Sequence, residues 1–285
     1  MPELVKPDAF DVPFPMQCAV DEATRQAQMA ACLTHHLPRL QQIPIREDDT
    51  VSIACYGPSL EDTWQDLKRP IISMSGALRF LVKRGIVPDI HVDMDPRVTK
   101  LPHLFHAPAE TRYLLASVCH PFVWDLLSDR HVETFHVVSG ANTFAWLQAH
   151  DPGSLLVVAG SSMGLGAIQI GGTLGYRHFE IHGMDGCFRG SSRHAGPHFG
   201  YPQKSIEWTA NGRTWQTSKI MANSNVEMLN MLRQFPFFAV LHGTGLVQDM
   251  VEEADLPNAA CARQEKAAAI RTASIEIVEE CIGAP

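Results

Sequence analysis

What narrows the fold most is an alternation along the chain: eight short apolar runs, at 51–55, 71–74, 90–93, 113–117, 134–138, 155–159, 179–182 and 238–242, separated by longer segments. Helix-like stretches fill the gaps at 60–67, 77–83, 121–127, 143–149, 163–175 and 223–234. A crossover between parallel strands needs about a dozen residues and is usually a helix. The alternation therefore predicts an α/β domain, a mostly parallel sheet with helices on both faces. Its body is expected over 50–250.

Two flanking pieces depart from this pattern. Residues 1–49 read as an extension carrying one helix, 21–40, ended by Pro38. Residues 251–285 read as a C-terminal helix, with the Ala-, Glu- and Arg-rich stretch 259–282 amphipathic. The opening MPELVKPDAFDVPFP is broken by proline and carries acids where an export signal needs a basic start and an apolar run. Residues 155–176 hold no formal charge, which invites a membrane span. However, LLVVA is a strand-like run and GSSMG is turn chemistry, so strand, turn and buried helix are expected instead.

Acidic residues outnumber basic ones 31 to 23, a net charge of −8, which excludes a broad cationic surface for nucleic acid. The seven cysteines (Cys18, Cys32, Cys55, Cys119, Cys187, Cys261, Cys281) are scattered and never in C-x-x-C spacing. Neither a disulfide framework nor a structural zinc site fits them, and a reducing cytoplasm is the expected compartment.

Ligands of an open parallel sheet bind beyond the carboxyl ends of its strands, so the residues that follow each strand are the candidates. After the first strand comes Tyr56-Gly57-Pro58-Ser59, and after the sixth Gly160-Ser161-Ser162-Met163-Gly164. Each is a glycine turn leading into a helix, with a hydroxyl near the cap position. Such a turn can hold a phosphate on backbone N–H groups, and it is equally an ordinary capped turn. Neither completes a known nucleotide fingerprint. G-x-x-x-x-G-K-[ST] is absent, and Gln169 stands where G-x-G-x-x-G needs its last glycine.

The third strand ends in Asp93-Met94-Asp95-Pro96-Arg97, and Pro96 places Asp95 at the strand mouth. A carboxylate there can hold Mg²⁺ against phosphates, bind a ligand hydroxyl, or pair with Arg97. Ser117 closes the fourth strand at the same end. Beyond the seventh, Gly183-Met184-Asp185-Gly186 leads into a polar loop, 187–201, carrying Arg189, Arg193, His194 and His198. The histidines are four apart, but Ala195-Gly196-Pro197 between them argues against a helical zinc pair. The loop suits charge stabilisation or acid–base work instead. Trp208 and Trp215, if they line the mouth, would mark a flat aromatic or sugar acceptor.

Taken together, IACYGPSL, SMSGALRFLVKRGIVPDIHVDMDPR and AGSSMGLGAIQIGGTLGYRHFEIHGMDGCF, in that order across about 51–198, resemble the archaeal-type 6-hydroxymethylpterin diphosphokinases, the MptE-like family. The pattern is more distantly similar to bacterial motility accessory factors and to sialyltransferases that use CMP-sugars. The resemblance implies a Rossmann-like nucleotide-binding domain with Gly57, Pro58 and Ser59 at the nucleotide phosphates. It also implies that Ser75-Gly76 opens a second ligand-contacting helix, that Gly160, Ser161 and Ser162 touch nucleotide or acceptor, and that Asp95 and Asp185 sit at the ligand edge. Two departures stand out: the family usually has asparagine where Ser75 stands, and a small residue or asparagine where Tyr56 stands.

The expected function is a cytoplasmic transferase that moves a diphosphate from ATP, with Mg²⁺ held by Asp95, to a hydroxymethyl acceptor, releasing AMP. Its catalytic candidates are Asp95, Arg193, His194 and His198, and Ser117 joins the nucleotide-binding set. The alternatives are glycosyl transfer from a CMP-activated sugar, with His194 or His198 as base, and a non-catalytic nucleotide-binding protein of the same fold. The expected partners are a small nucleotide and a hydroxyl acceptor, without nucleic acid or membrane, and a homo-oligomer is compatible with the chain.

Overall fold

A computed structural model describes residue 13 and residues 18–138, 141–158, 160–197 and 203–262. The strands are β1 Arg46–Ala54, β2 Ile71–Met74, β3 Ile90–Asp93, β4 Arg112–Ala116, β5 Val132–Val137, β6 Leu156–Val157, β7 Tyr176–His182, β8 Ser205–Ala210, β9 Arg213–Ser218, β10 Phe238–His242 and β11 Ala259–Ala262. The helices are α1 Glu22–Thr34, α2 Leu60–Thr63, α3 Ala77–Val82, α4 Phe122–Leu126, α5 Ala141–His150, α6 Met163–Thr173, α7 Lys219–Gln234 and α8 Leu246–Ala254. Nine strands form one parallel sheet in the order β11-β10-β7-β1-β2-β3-β4-β5-β6, and all eight expected strands are among them.

The period of two along each strand divides the core between the two faces of the sheet. Val51, Ile53 and Cys55 of the first strand, with Ile72 and Met74 of the second, join the larger cluster that includes Leu165 and Ile168 of α6. The alternate residues Ala54, Tyr56 and Ile71 join a second cluster with Leu60, Ala77, Phe80 and Leu81 of α2 and α3. Burial on both faces is why these strands read as continuous apolar runs.

The described residues of this stretch, 155–176, form β6, a turn and α6, and no helix among the described residues is long and apolar enough to cross a membrane. The N-terminal helix is shorter than expected. Asp21 caps α1 by accepting from the Thr24 N–H at 2.7 Å, and the helix stops at Thr34. Residues 38–40 then run beside β5, with Thr134 N–H donating to the Pro38 carbonyl and Leu40 N–H to the Thr134 carbonyl, both at 2.8 Å.

One expectation is corrected, and one element was not anticipated. Residues 259–262 are not helical but extend the sheet as β11, where the open edge of β10 offers their backbone a parallel ladder. The remainder of the expected C-terminal helix, 263–285, lies outside the described residues. The hairpin β8–β9 went unforeseen, although Asn211-Gly212 at its tip is a strong short-range hairpin signal. Both tip residues hold positive φ, +49° and +71°.

Candidate functional site

The strand order reverses at β1. The chain steps from β1 outward to β6, then crosses back through α6 to place β7 on the other side of β1. Loops leaving β1 and β7 therefore diverge, and a cleft of about 260 Å³ opens at the carboxyl ends of the strands. The loops after β1, β2, β3 and β7 line it, together with the N-terminal turns of α6 and α7.

Its floor is a latch between the β1 and β7 loops. Gly57 N–H donates to the Gly183 carbonyl at 2.7 Å. A β-carbon on Gly57 would overlap that carbonyl oxygen and lie 2.7 Å from Asp185 Oδ2, so only glycine lets the loops approach this closely. Ser59 is fully buried; its N–H donates to Asp185 Oδ2 at 2.7 Å and its hydroxyl donates to Oδ1. The expectation that Ser59 presents its hydroxyl to a phosphate is thereby corrected, since it is committed to Asp185 and makes no side-chain cap on α2. Asp185 and Pro58 do line the cleft. Burial pushes the Asp185 carboxyl up to about 6, against the opposing pull of the two Ser59 bonds.

Tyr56 fastens the β7 loop over this floor. Its hydroxyl donates to the Pro197 carbonyl at 3.0 Å, and its carbonyl accepts from Ala195 N–H at 3.0 Å. Its ring stacks on His194 (centroids 5.3 Å apart, 20°) and meets His103 edge-on. A β-carbon on Gly76 would fall inside the Tyr56 ring, so Gly76 is explained by this packing rather than by ligand contact. Ser75, at φ +47°, does line the cleft. Asparagine enters that left-handed region more readily than most residues, so the asparagine expected from the family resemblance would suit this backbone.

The cationic wall comes from the loop after β3 and from Arg193. Asp95 accepts from Arg97 Nε at 2.8 Å and from Arg97 Nη2 at 2.5 Å, and Lys100 Nζ lies 3.7 Å from its Oδ2. Arg97, Lys100 and Arg193 all line the cleft. Burial lowers Lys100, with the Asp95 carboxylate opposing it, and burial followed by the Arg97 charge lowers Arg193. His194 faces the same space. Burial, then Arg193 and Lys100, holds it down at about 3, so the ring is neutral at pH 7. Its Nδ1 lies 3.3 Å from the Tyr56 carbonyl, which can only accept; Nδ1 therefore carries the proton and Nε2 the lone pair. His198 lies outside the described residues.

At the second glycine turn, Ser161 and Ser162 line the cleft, whereas Gly160 holds the turn at φ +67°. Glu227 of α7 accepts from Ser161 N–H at 2.8 Å and from its hydroxyl at 2.5 Å. Ser162 caps α6, and its Oγ accepts from the Ser224 hydroxyl at 2.6 Å.

Ser117 is placed elsewhere. It is buried, 2.7 Å from His136 Nδ1, whose Nε2 lies 2.9 Å from Asp151 Oδ2. The chain of groups copies a hydrolase triad, but neither Ser117 nor His136 is exposed at all, and Arg39 and Ser154 also bind Asp151, so it is a buried polar network. Trp208 and Trp215 face each other across the hairpin, and Trp215 Nε1 donates to Asp249 on α8 at 2.7 Å. They hold the hairpin to the domain and do not line this cleft.

The sequence model of the family described as 6-hydroxymethylpterin diphosphokinase MptE-like matches residues 25–191, more than half of the chain. The chain belongs to the MptE-like family. A comparison with curated proteins gave no significant match. Among solved structures this MptE-like chain is similar to the MAf glycosyltransferase from Magnetospirillum magneticum AMB-1, with 17% identity and a TM-score of 0.62. The likeness covers 84% of this chain but 38% of that one, and it shows a shared Rossmann-like fold.

The sequence reading missed Lys100, Glu227 and Tyr56 as site residues. Lys100 was legible in principle, three residues beyond Arg97 on the same strand exit. Glu227 comes from a helix 66 residues beyond Ser161, and nothing local marks it.

Proposed function

We propose that this MptE-like chain is a nucleotide-dependent transferase that binds a diphosphate-bearing donor between the two glycine turns and the cationic wall. The observation that carries this reading is the convergence of Arg97, Lys100 and Arg193 with the backbone of two strand-to-helix turns at the topological switch point. Guanidinium and ammonium groups in a partly dry cleft stabilise the charge that develops on a leaving phosphate. The reading named by the family description follows: the acceptor hydroxymethyl oxygen attacks the β-phosphorus of ATP, the bond to the α–β bridging oxygen breaks, and AMP leaves. His194 Nε2 takes the hydroxyl proton. Phosphate seated on Arg193 and Lys100 cancels two of the charges that depress His194, raising its basicity when the donor is bound.

The residues do not fit a magnesium site as they stand. Asp95 has both oxygens engaged by Arg97, and Asp185 has both engaged by Ser59. Donor charge is met by the cations, and no step is assigned to a metal. This donor set, with the fold shared with a glycosyltransferase, favours a second reading, glycosyl transfer from a CMP-activated sugar with His194 as the base.

Purified protein given ATP, Mg²⁺ and hydroxymethyldihydropterin is expected to release AMP; no AMP release overturns diphosphoryl transfer. Calorimetry against ATP, CMP and CTP separates the two readings, since preference for a cytidine nucleotide selects glycosyl transfer. Arg193→Ala and Lys100→Ala are each expected to weaken the preferred nucleotide roughly tenfold to a hundredfold, the size of a charged hydrogen bond. Affinities unchanged in both variants would remove the cationic wall from the binding site.

A further inference from the structure

Glu180, His182 and His242 form a cluster that the proposed transfer does not use. Glu180 and His182 lie two apart on β7 and so share a face, and β10 pairs in a register that sets His242 directly beside His182. One side-chain ligand atom from each of the three lies within 4.8 Å of the others. His182 is fully buried, and neither of its ring nitrogens makes a hydrogen bond of normal geometry, the backbone of Thr63 being a polar neighbour outside the cluster. Glu180 Oε2 and His242 Nε2 are also buried without a hydrogen bond; they lie 3.6 Å apart, beyond hydrogen-bond reach. Buried polar atoms are rarely left so, and an ion is one of the few explanations for several converging on one point.

We propose that Glu180, His182 and His242 bind one divalent transition-metal ion of the zinc class. Two imidazoles and a carboxylate are the donor set that such ions prefer over Mg²⁺ or Ca²⁺, which take oxygen ligands. An imidazole ligates such an ion through the lone pair of one ring nitrogen, and one ring nitrogen of each histidine lies within reach of the common point. Lys68 Nζ holds the other carboxylate oxygen, Glu180 Oε1, at 2.8 Å, which orients Oε2 toward the histidines as an outer-shell partner does. The imidazole rings stack, centroids 4.1 Å apart at 8°. Their lone pairs therefore lie in parallel planes, and shared ligation requires the His242 ring to tilt out of the stack. Its side chain is 16% exposed and Glu180's 17%, so the rim gives the ion a way in and leaves a position for water.

The ion would join β7 to β10 one residue below the loops that carry Asp185 and Gly245. It would brace the floor of the cleft without entering it.

The test uses the full chain, stripped with chelator and titrated with Zn²⁺ alone by calorimetry, with Co²⁺ as a spectroscopic probe of nitrogen ligation. One equivalent is expected to bind, and Co²⁺ is expected to give visible bands. Glu180→Gln and His242→Gln should each weaken Zn²⁺ by about a hundredfold or more, beyond what loss of an outer-shell partner costs. Glu180→Gln preserves shape and guards against a variant that fails to fold. His178→Asn, on the same strand but outside the cluster, should bind as the parent does. Absence of a saturable equivalent, or equal binding in Glu180→Gln and His242→Gln, would overturn the site and leave a histidine–carboxylate contact only. Because the readout is metal binding, it stands or falls apart from transferase activity.

Discussion

Replacing Gly57 by alanine is expected to lower stability by about 3 kcal/mol, at the upper end of ordinary overpacking. The added β-carbon meets the Gly183 carbonyl and the Asp185 carboxylate, and neither is the free end of a flexible side chain. Gly183 accepts from Gly57 itself and Asp185 is held by Ser59, so relief requires the ends of β1 and β7 to part. For a domain of this size the melting temperature should fall by roughly 6 °C or more. Nucleotide affinity should fall with it, since the same movement opens the cleft floor. Gly172→Ala is the control. In α6 its β-carbon would have no neighbour closer than Arg177 Nη1 at 3.9 Å, and helix propensity favours alanine by up to about 1 kcal/mol. Gly57→Ala melting with the parent protein would show that the latch yields without cost.

Acidification is expected to destabilise the protein between pH 6.5 and about 4. Outside the proposed metal cluster, His91, His103 and His194 are buried neutral; desolvation, with neighbouring cationic groups, holds them at about 3, 4 and 3. In the unfolded chain they titrate near 6.5, so as pH falls below that value the unfolded state takes up protons that the folded state refuses. Each such group removes up to about 1.4 kcal/mol of stability per pH unit. Two carboxyls act the other way. Burial raises Asp93 to about 7, with Asp95 adding to it, and raises Asp185 to about 6. They take up protons in the folded state first, which adds stability as pH falls toward their unfolded value of 3.8. Three histidines against two carboxyls leave a net loss on the order of 3 kcal/mol by pH 4. Asp93→Asn removes one opposing group, so its melting temperature should fall more steeply with acid than the parent's. A parallel or shallower pH profile in Asp93→Asn would contradict this assignment.

The two expected site motifs fared differently once folded, and the reason is physical. Both glycine turns stand at strand-to-helix junctions as read, because glycine, proline and serine encode turns through local backbone preference. Which polar atom of a turn faces the ligand depends on what the next strand brings. Ser59 looked like a phosphate contact until Asp185, 126 residues later, claimed its N–H and hydroxyl. Ser117 looked like a strand-end contact, but it closes a buried network with His136 and Asp151. Tyr56, which stood out only as a departure from the family, proved to be the anchor of the His194 loop.

Sequence alone determined the layered α/β class, the parallel strands and the end of the sheet where the cleft opens. Those follow from local apolar runs, the length of crossovers and the chemistry of turns, all written within a dozen residues. The same local logic carried the resemblance to the MptE-like family. Tertiary structure decided the placement of β7 against β1 rather than beyond β6, and with it the cleft. It also decided the reach of Glu227 to Ser161 and the meeting of Glu180 and His182 with His242. Each of these joins side chains whose desolvation is set by a neighbour distant in sequence, and charge and burial there exist only after the strands have paired.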